Sequence, residues 1–369
     1  MNKTVLISGA GIGGSTLAYW LGRNGFDVTV VERAGVQRSS GNPIDVKGAA
    51  VDVVEAMGVM PRLRAAGSRV DRMSFVDAAG RERSGLRLSA FQGGAGDREV
   101  EIARADLASI LLDAARDQAE IRWADSISGL DKDVDGVEVT FESGTTGHYD
   151  YVIGVDGLHS NVRRLVFGAE SEFIKHMGLY VATLPVDRAY GGEREVIMFN
   201  RPGSAITVHP SKGKAVAAFM FRHAAVPGFD HRDLAQHKQL VADAFTGPLG
   251  IFADLLDQVK AAEDLYFDSV SRVDLPHWSD GRIALLGDAA SCLSLFGDGS
   301  TLAIAGAHTL SEELTRTPDQ PRTAFATYEQ RHRKLVEPKQ RGMRAAAAMM
   351  VPATSPGIVV RNAVTRFMR

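Results

Sequence analysis

A single cysteine, Cys292, occurs in 369 residues, so no internal disulfide can form. That usage points to a reducing, cytoplasmic compartment. Long apolar runs are also missing. No stretch reaches the ~20 residues needed to span a bilayer. The first apolar strand follows Met1-Asn2-Lys3 directly, which leaves no room for a signal peptide. Net charge is only −3 and gives no electrostatic footprint for nucleic acid. His209, His223 and His231 lack partners at metal-ligand spacing, so no metal is expected. What is present, 45% hydrophobic and 24% charged residues, is ordinary for a globular chain with two or three core-forming units. Monomer and dimer both fit these numbers.

The chain is organised around its first residues, VLISGAGIGGSTLAYWLGRNGFDVTVVER, from Val5 to Arg33. Val5-Leu6-Ile7 reads as a strand buried on both faces. Gly9, Gly11 and Gly14 form G-x-G-x-x-G: a tight turn, a close approach of pyrophosphate to backbone, and close helix–strand packing. The helix that follows stops at Gly25, and Val28 to Val31 is a second strand. It delivers Glu32 about twenty residues after the glycines, where an acid binds a ribose hydroxyl. The register of strand, glycines, helix, strand and acid marks a dinucleotide site.

Further along, Pro43-Ile44-Asp45-Val46 leads into a helix from Ala49 to Met57, and Arg72–Asp77 with Glu82–Leu88 forms a hairpin. Gln92 to Asp97 reads as a surface loop. Arg104 falls in the first turn of a helix, where a cation opposes the macrodipole. Either an anionic ligand or pairing with Asp106 or Asp97 resolves that conflict. Strands follow at Ile121–Trp123, Gly136–Glu142 and Tyr151–Val155, the last ending in Asp156-Gly157. From Gly178 to Arg222, alternating segments between Gly, Pro and Asn turns predict antiparallel sheet. Leu234 to Val259 returns to helix. Arg282–Leu286 is a buried strand ending in Gly287-Asp288, and Gly297-Asp298-Gly299 precedes a helix over Thr301–Leu314. Such a helix start favours negative charge. Phe325 to Met350 is a basic helix interrupted at Pro338, followed by Pro356 to Arg369. It packs back over the protein or, alternatively, lies on a membrane surface.

The opening motif with Glu32-Arg33, EIARADL, DGLHSNVRR and GRIALLGDAA, in this order, resemble the FAD-dependent aromatic hydroxylases of the para-hydroxybenzoate hydroxylase type, close in size to the tetracycline-inactivating monooxygenases. The resemblance implies an α/β fold: a Rossmann-like FAD-binding domain (1–72, 97–175 and 270–320), an inserted antiparallel β-sheet substrate domain (73–96 and 176–269), and a C-terminal helical segment (321–369). It implies that Gly9, Gly11 and Gly14 approach the FAD pyrophosphate, with Glu32 and Arg33 at the adenosine side. Asp45 and Arg104 would touch the flavin half and Asp288 the ribityl-pyrophosphate. Gly297 and Gly299 would support the isoalloxazine. Asp156 belongs to a motif tied to both FAD and NAD(P)H, and Arg38 matches an arginine credited with NADPH contact. Met198 and Phe199 are offered either as apolar substrate wall or as core.

The implied activity is NAD(P)H-driven, O2-dependent hydroxylation of an aromatic or polyketide-like small molecule through a flavin C4a-hydroperoxide. The chemistry would be carried by the flavin, with no catalytic side chain. Departures from the pattern lie after GDAA, where Ser291-Cys292-Leu293-Ser294-Leu295 has no proline and one residue fewer before Gly297. No second G-x-G-x-x-G occurs, so NAD(P)H would bind transiently. Cys292 is expected to be a packing thiol. An FAD-dependent dehydrogenase or oxidase on the same fold is the alternative, and a cofactor-free binding module a third.

Overall fold

The computed structural model of the chain describes residues 2–37, 42–87, 98–211, 214–293 and 298–366. Arg38, Gly297, the Gln92–Asp97 loop and Ser294-Leu295 lie outside those residues.

β1 (Thr4–Ser8) is followed by α1 (Ile12–Arg23), whose N-cap is Gly11, and by β2 (Asp27–Glu32). Gly25, at φ +86°, reverses the chain between them. Next come β3 (Pro43–Val46), α2 (Ala49–Ala56), α3 (Met60–Ala66), and the hairpin β4 (Arg72–Val76) and β5 (Glu82–Arg87). β6 (Val100–Ala103) runs straight into α4 (Arg104–Ala115). β7 (Glu120–Trp123), β8 (Ile127–Lys132), β9 (Val137–Phe141), β10 (Thr146–Tyr149) and β11 (Tyr151–Gly154) follow. Two short helices, α5 (Asn161–Val166) and α6 (Glu170–Phe173), lead into β12 (Ile174–Val186), β13 (Glu195–Arg201), β14 (Ser204–His209) and β15 (Ala215–Arg222). The remainder is α7 (Leu234–Ala244), α8 (Ala253–Ala261), β16 (Tyr266–Val273), β17 (Ser279–Asp280), β18 (Ile283–Leu285), α9 (Asp288–Ser291), α10 (Asp298–Arg316), α11 (Pro321–Met350) and α12 (Ser355–Arg366).

Four sheets result. The first has the order β17-β18-β11-β1-β2-β7 and is parallel apart from the β17–β18 pair. Its central strands are buried through Val5-Leu6-Ile7 and Tyr151-Val152-Ile153, as continuous apolar runs require. A three-stranded sheet β10-β9-β8 flanks it. The two-stranded ribbon β3–β6 sets Asp45 opposite Glu101. The fourth sheet has seven strands, β16-β12-β15-β14-β13-β4-β5. One face packs Tyr180, Phe199, Phe219 and Phe221 under α7 and α8; the other carries Val181, Met198 and Met220 and meets Ala347 and Val351.

Three features differ from what the sequence leads one to expect. The large sheet is mixed, because the β4–β5 hairpin, drawn from far upstream, lies parallel to β13. Leu234 to Val259 is not one helix: Gly247, at φ +84°, and Pro248 separate α7 from α8. Conversely α11 runs unbroken through Pro338. An interior proline costs about 3 kcal/mol. Here the cost is offset by burial on both sides of it, of Phe325, Tyr328 and Val336 before and Met343 and Ala347 after. Among the described residues no single helix is long and apolar enough to cross a membrane.

Candidate active site

The G-x-G-x-x-G turn closes by backbone alone. Gly9 N donates to Val31 O at 2.8 Å. Gly9 takes φ +109°, and a Cβ there would lie 2.6 Å from Val155 O. A Cβ on Gly14 would stand 1.9 Å from Gly9 O, so only glycine lets α1 approach the turn. Gly11 is different: a Cβ would meet nothing within 4 Å, because this residue faces open cavity. As N-cap it offers no side chain to the helix, and the first N–H groups of α1 are left for a ligand. Glu32, at the end of β2, accepts from Ala10 N and Ala34 N, both at 2.9 Å, and so fixes the loops on either side of it.

A second wall forms around Asp288. Burial pushes its carboxyl up, while the Arg104 charge and a hydrogen bond from the Cys292 thiol oppose that shift. Asp288 Oδ1 is 3.7 Å from the position of a Cβ on Gly299, so the turn after β18 and the start of α10 meet here. Arg104 lines the same space, and its guanidinium has no hydrogen-bond or ion-pair partner among the described residues. Asp45 is held by Lys47 at 3.3 Å, and Lys47 also reaches Asp298 at 3.3 Å. The Asp45 carbonyl accepts from Ser300 Oγ at 3.0 Å and Thr301 Oγ1 at 3.1 Å, which clasps β3 to the start of α10. Burial raises the Asp45 carboxyl, and the Lys47 charge works against it.

Asp156 lines the cavity, but its oxygens are committed to the next helix. They accept from Ser160 Oγ at 2.5 Å, Asn161 N at 2.8 Å and Val162 N at 3.0 Å. Sequence reading missed the residue that joins the two turns. Arg163 is fully buried and donates to Leu158 O at 2.5 Å and Ala289 O at 3.0 Å, tying the DGLHSN turn to the GDAA turn. Its place in the DGLHSNVRR motif was the only available signal. Cys292 was likewise read as packing alone; it is buried, but it also donates to Asp288.

His159 also lines the cavity. It bridges Glu170 at 2.9 Å and Asp268 at 3.4 Å, and His231 stacks on it at 3.9 Å. Burial alone would lower its pKa, but the hydrogen bonds to Asp268 and Glu170 outweigh that and lift it to about 9.

One cavity of about 660 Å³ is lined by Gly9, Gly11, Glu32, Asp45, Arg104, Asp156, His159, Asp288 and Gly299; Gly14, Arg163 and Cys292 are not in its wall. It begins at Gly9, Glu32 and Arg33, passes Asp45, Arg104, Asp288 and Gly299, and ends against the large sheet. The sheet wall follows strand register: Met73 beside Val196, His209 beside Val216, Thr207 beside Ala218, and Met220 beside Val181. Met198 and Phe199 are not in it. Phe199 points to the opposite face and stacks on Phe252. Met198 shares the cavity face of β13 but is covered by Arg361 of α12, whose guanidinium lies 3.8 Å from its sulfur and 3.8 Å from the Phe75 ring centroid. Met350, at the end of α11, supplies wall instead.

The arrangement fits FAD. An uncapped helix start beside open space, an acid at the end of β2 and an unpaired arginine deeper in the same cavity match a pyrophosphate, a ribose and an anionic ring system. Residues 2–339 match the family model described as an FAD binding domain. An uncharacterized protein of Mycobacterium tuberculosis is 37% identical over 350 residues, covering 92% of each chain. A flavin-dependent monooxygenase from an unknown prokaryotic organism is 35% identical over 348 residues, covering 92% of this chain and 88% of its own. The crystal structure of the tetracycline destructase Tet(51) superposes with a TM-score of 0.86 at 28% identity, over 100% of this chain and 96% of its own. The cavity, the family match and these relatives together make the chain a member of the FAD-binding-domain family, an FAD-dependent monooxygenase of the aromatic-hydroxylase type.

Proposed function

We propose that the protein uses NAD(P)H and O2 to hydroxylate an aromatic or polyketide-like small molecule. The observation that carries this reading is the continuity of the cavity. A cofactor whose pyrophosphate lies on Gly9 and Gly11, with Gly14 holding α1 against that turn, and whose ribose meets Glu32 and Arg33 would reach past Asp45, Arg104 and Asp288 to the sheet. Bound FAD supplies the redox and oxygen-transfer chemistry. The protein's part is to bind, orient and exclude water. Arg104 and the N–H groups at the start of α10, Gly299 among them, favour negative charge on the ring. Gly297 and, for NAD(P)H, Arg38 keep the roles that the resemblance implies.

In the same reading, residues 1–72, 97–175 and 270–320 act as the cofactor unit. Residues 73–96 and 176–269 act as the substrate unit, and 321–369 as a brace behind both. The substrate wall is apolar at Met73, Val196, Val216 and Met220 and polar at Thr207 and His209. A hydroxylated polycyclic compound suits that mixture, and the structural relative is a tetracycline destructase. The test is product mass under labelled dioxygen, with NADH and NADPH compared as donors. Gain of one labelled oxygen is expected, with donor oxidation slow until substrate is added. Turnover that proceeds equally well without oxygen would instead indicate a dehydrogenase.

A further inference from the structure

The last helix, α12, is built inside out. A surface helix ordinarily turns its apolar stripe to the core and its polar side to water. Here the two buried side chains are Arg361 and Thr365, while Val359, Val360, Ala363 and Val364 face solvent. The three valines are 66, 62 and 53% exposed, and Met349, at the end of α11, is exposed beside them in the chain. The other exposed large apolar side chains among the described residues, Val36, Val134, Ile251 and Leu335, lie on four separate segments. Single apolar residues need no partner, but a cluster on one helix face marks a contact surface. The helix is held in this orientation. The Arg361 guanidinium donates to Asn200 Oδ1 at 2.9 Å and Met349 O at 3.3 Å, and lies over the Phe75 ring. Thr365 Oγ1 donates to Ser84 Oγ at 3.1 Å, and Arg366 to Arg83 O at 2.9 Å. Rolling α12 to bury its valines would break all of these bonds and leave Asn200 and Ser84 without these partners.

Charge decides what covers the face. Residues 338–369 contain six Lys or Arg and no Asp or Glu, in a chain whose acids outnumber its bases. Arg341 and Arg344, near the end of α11, and Arg366 on α12 are exposed, and none forms an ion pair with another described residue. The carboxylates of the hairpin against which α12 packs, Asp77 and Glu82, are held by Arg83 at 2.7 Å and Arg72 at 2.6 Å. A second copy of the chain docked by two-fold symmetry would bring two such basic, acid-free surfaces together. An anionic lipid surface takes apolar side chains into its interface and meets arginines with its headgroups. We propose that α12, with the end of α11, is a docking face for anionic membranes. The valines enter the interface, and Arg341, Arg344 and Arg366 meet lipid phosphates. Docking is peripheral, since among the described residues no single helix is long and apolar enough to cross the bilayer.

The test is co-sedimentation of the FAD-loaded protein with vesicles of phosphatidylcholine, alone or mixed with anionic phosphatidylglycerol. Binding to the anionic vesicles should be about tenfold tighter than to the neutral ones and should be lost at high salt. Val360→Glu combined with Val364→Glu should weaken binding to the anionic vesicles by about tenfold or more. Arg341→Glu combined with Arg344→Glu should remove the preference for anionic lipid. All four positions are exposed, so flavin content and melting temperature should match wild type. Where they do not, Val360→Ser and Val364→Ser replace the glutamates. A polarity-sensitive dye on Val364→Cys should shift to shorter wavelength on anionic vesicles, while Cys292, being buried, stays unlabelled. Failure of wild type to sediment with anionic vesicles, equal binding to both lipids, or a dye that does not shift overturns the proposal. Binding that survives the paired glutamates does the same. So does a dimer that Val360→Glu disperses, which assigns the face to a second copy of the chain.

Discussion

The two ends of the cavity are built by different means. At the nucleotide end the wall is backbone and short turns, held where a side chain would collide: Gly9 against Val155 O, Gly14 against Gly9 O. At the sheet end the wall is alternate side chains of pleated strands, and any one can change without moving its neighbours. The first end is constrained to one ligand shape. The second can be re-cut for a new substrate while the cofactor site stays as it is.

That contrast can be broken experimentally. The largest effect is expected from Phe199→Ala, which empties a packed site against Phe252 on the far face of the sheet. It should cost about 3–5 kcal/mol in denaturant unfolding with little change in substrate KM; a change confined to KM would return Phe199 to the wall. Next, Gly14→Ala should cost about 1–3 kcal/mol through overpacking and lower the melting temperature. Gly11→Ala, into open cavity, should leave melting of apoprotein unchanged and weaken FAD in a titration. Equal behaviour of the two variants would erase the distinction between turn and ligand cradle.

Asp288→Ala should weaken FAD by about 1–3 kcal/mol, the cost of unpartnered polar groups, and Cys292→Ala by less, because the thiol donates to Asp288 and is not itself in the cavity wall. The smallest effect concerns pH. His159 has its pKa raised from 6.5 to about 9 by Asp268 and Glu170, so the stability it adds is fully present below pH 6.5 and lost as pH rises through about 9. Melting temperature of wild type should fall across that window, and His159→Gln should flatten the slope.

The same contrast explains what could be read in advance. Glycines and strand-terminal acids are sparse, positional signals, so Gly9, Gly11, Gly14, Glu32 and Asp288 could each be given a place from the letters alone. Wall residues could not, because a one-residue change of register swaps the two faces of a strand. β13 alternates cleanly, yet nothing in it says that Val196 faces the cavity and Phe199 the helices. Nor does its sequence announce that Arg361, over a hundred residues later, covers Met198. The parallel docking of β4 on β13 was hidden for a related reason: pairing partners far apart in sequence leave no local mark. Arg163 was legible as part of a motif, but its reach to Ala289 depends on two turns meeting in space.

That reach has a consequence for how the protein is made. The nucleotide sheet has β11 as an open edge until β18 pairs with it, and β18 is residues 283–285. Arg163 waits for the same event, since its acceptor Ala289 lies just beyond. A chain growing from its N-terminus therefore carries the glycine turn and Glu32 beside an unsealed β11 from residue 154 until residues 283–285 are made, a state prone to stray pairing. Cofactor capture belongs to the end of translation, and a shortage of flavin would be felt by finished, empty chains rather than by nascent ones.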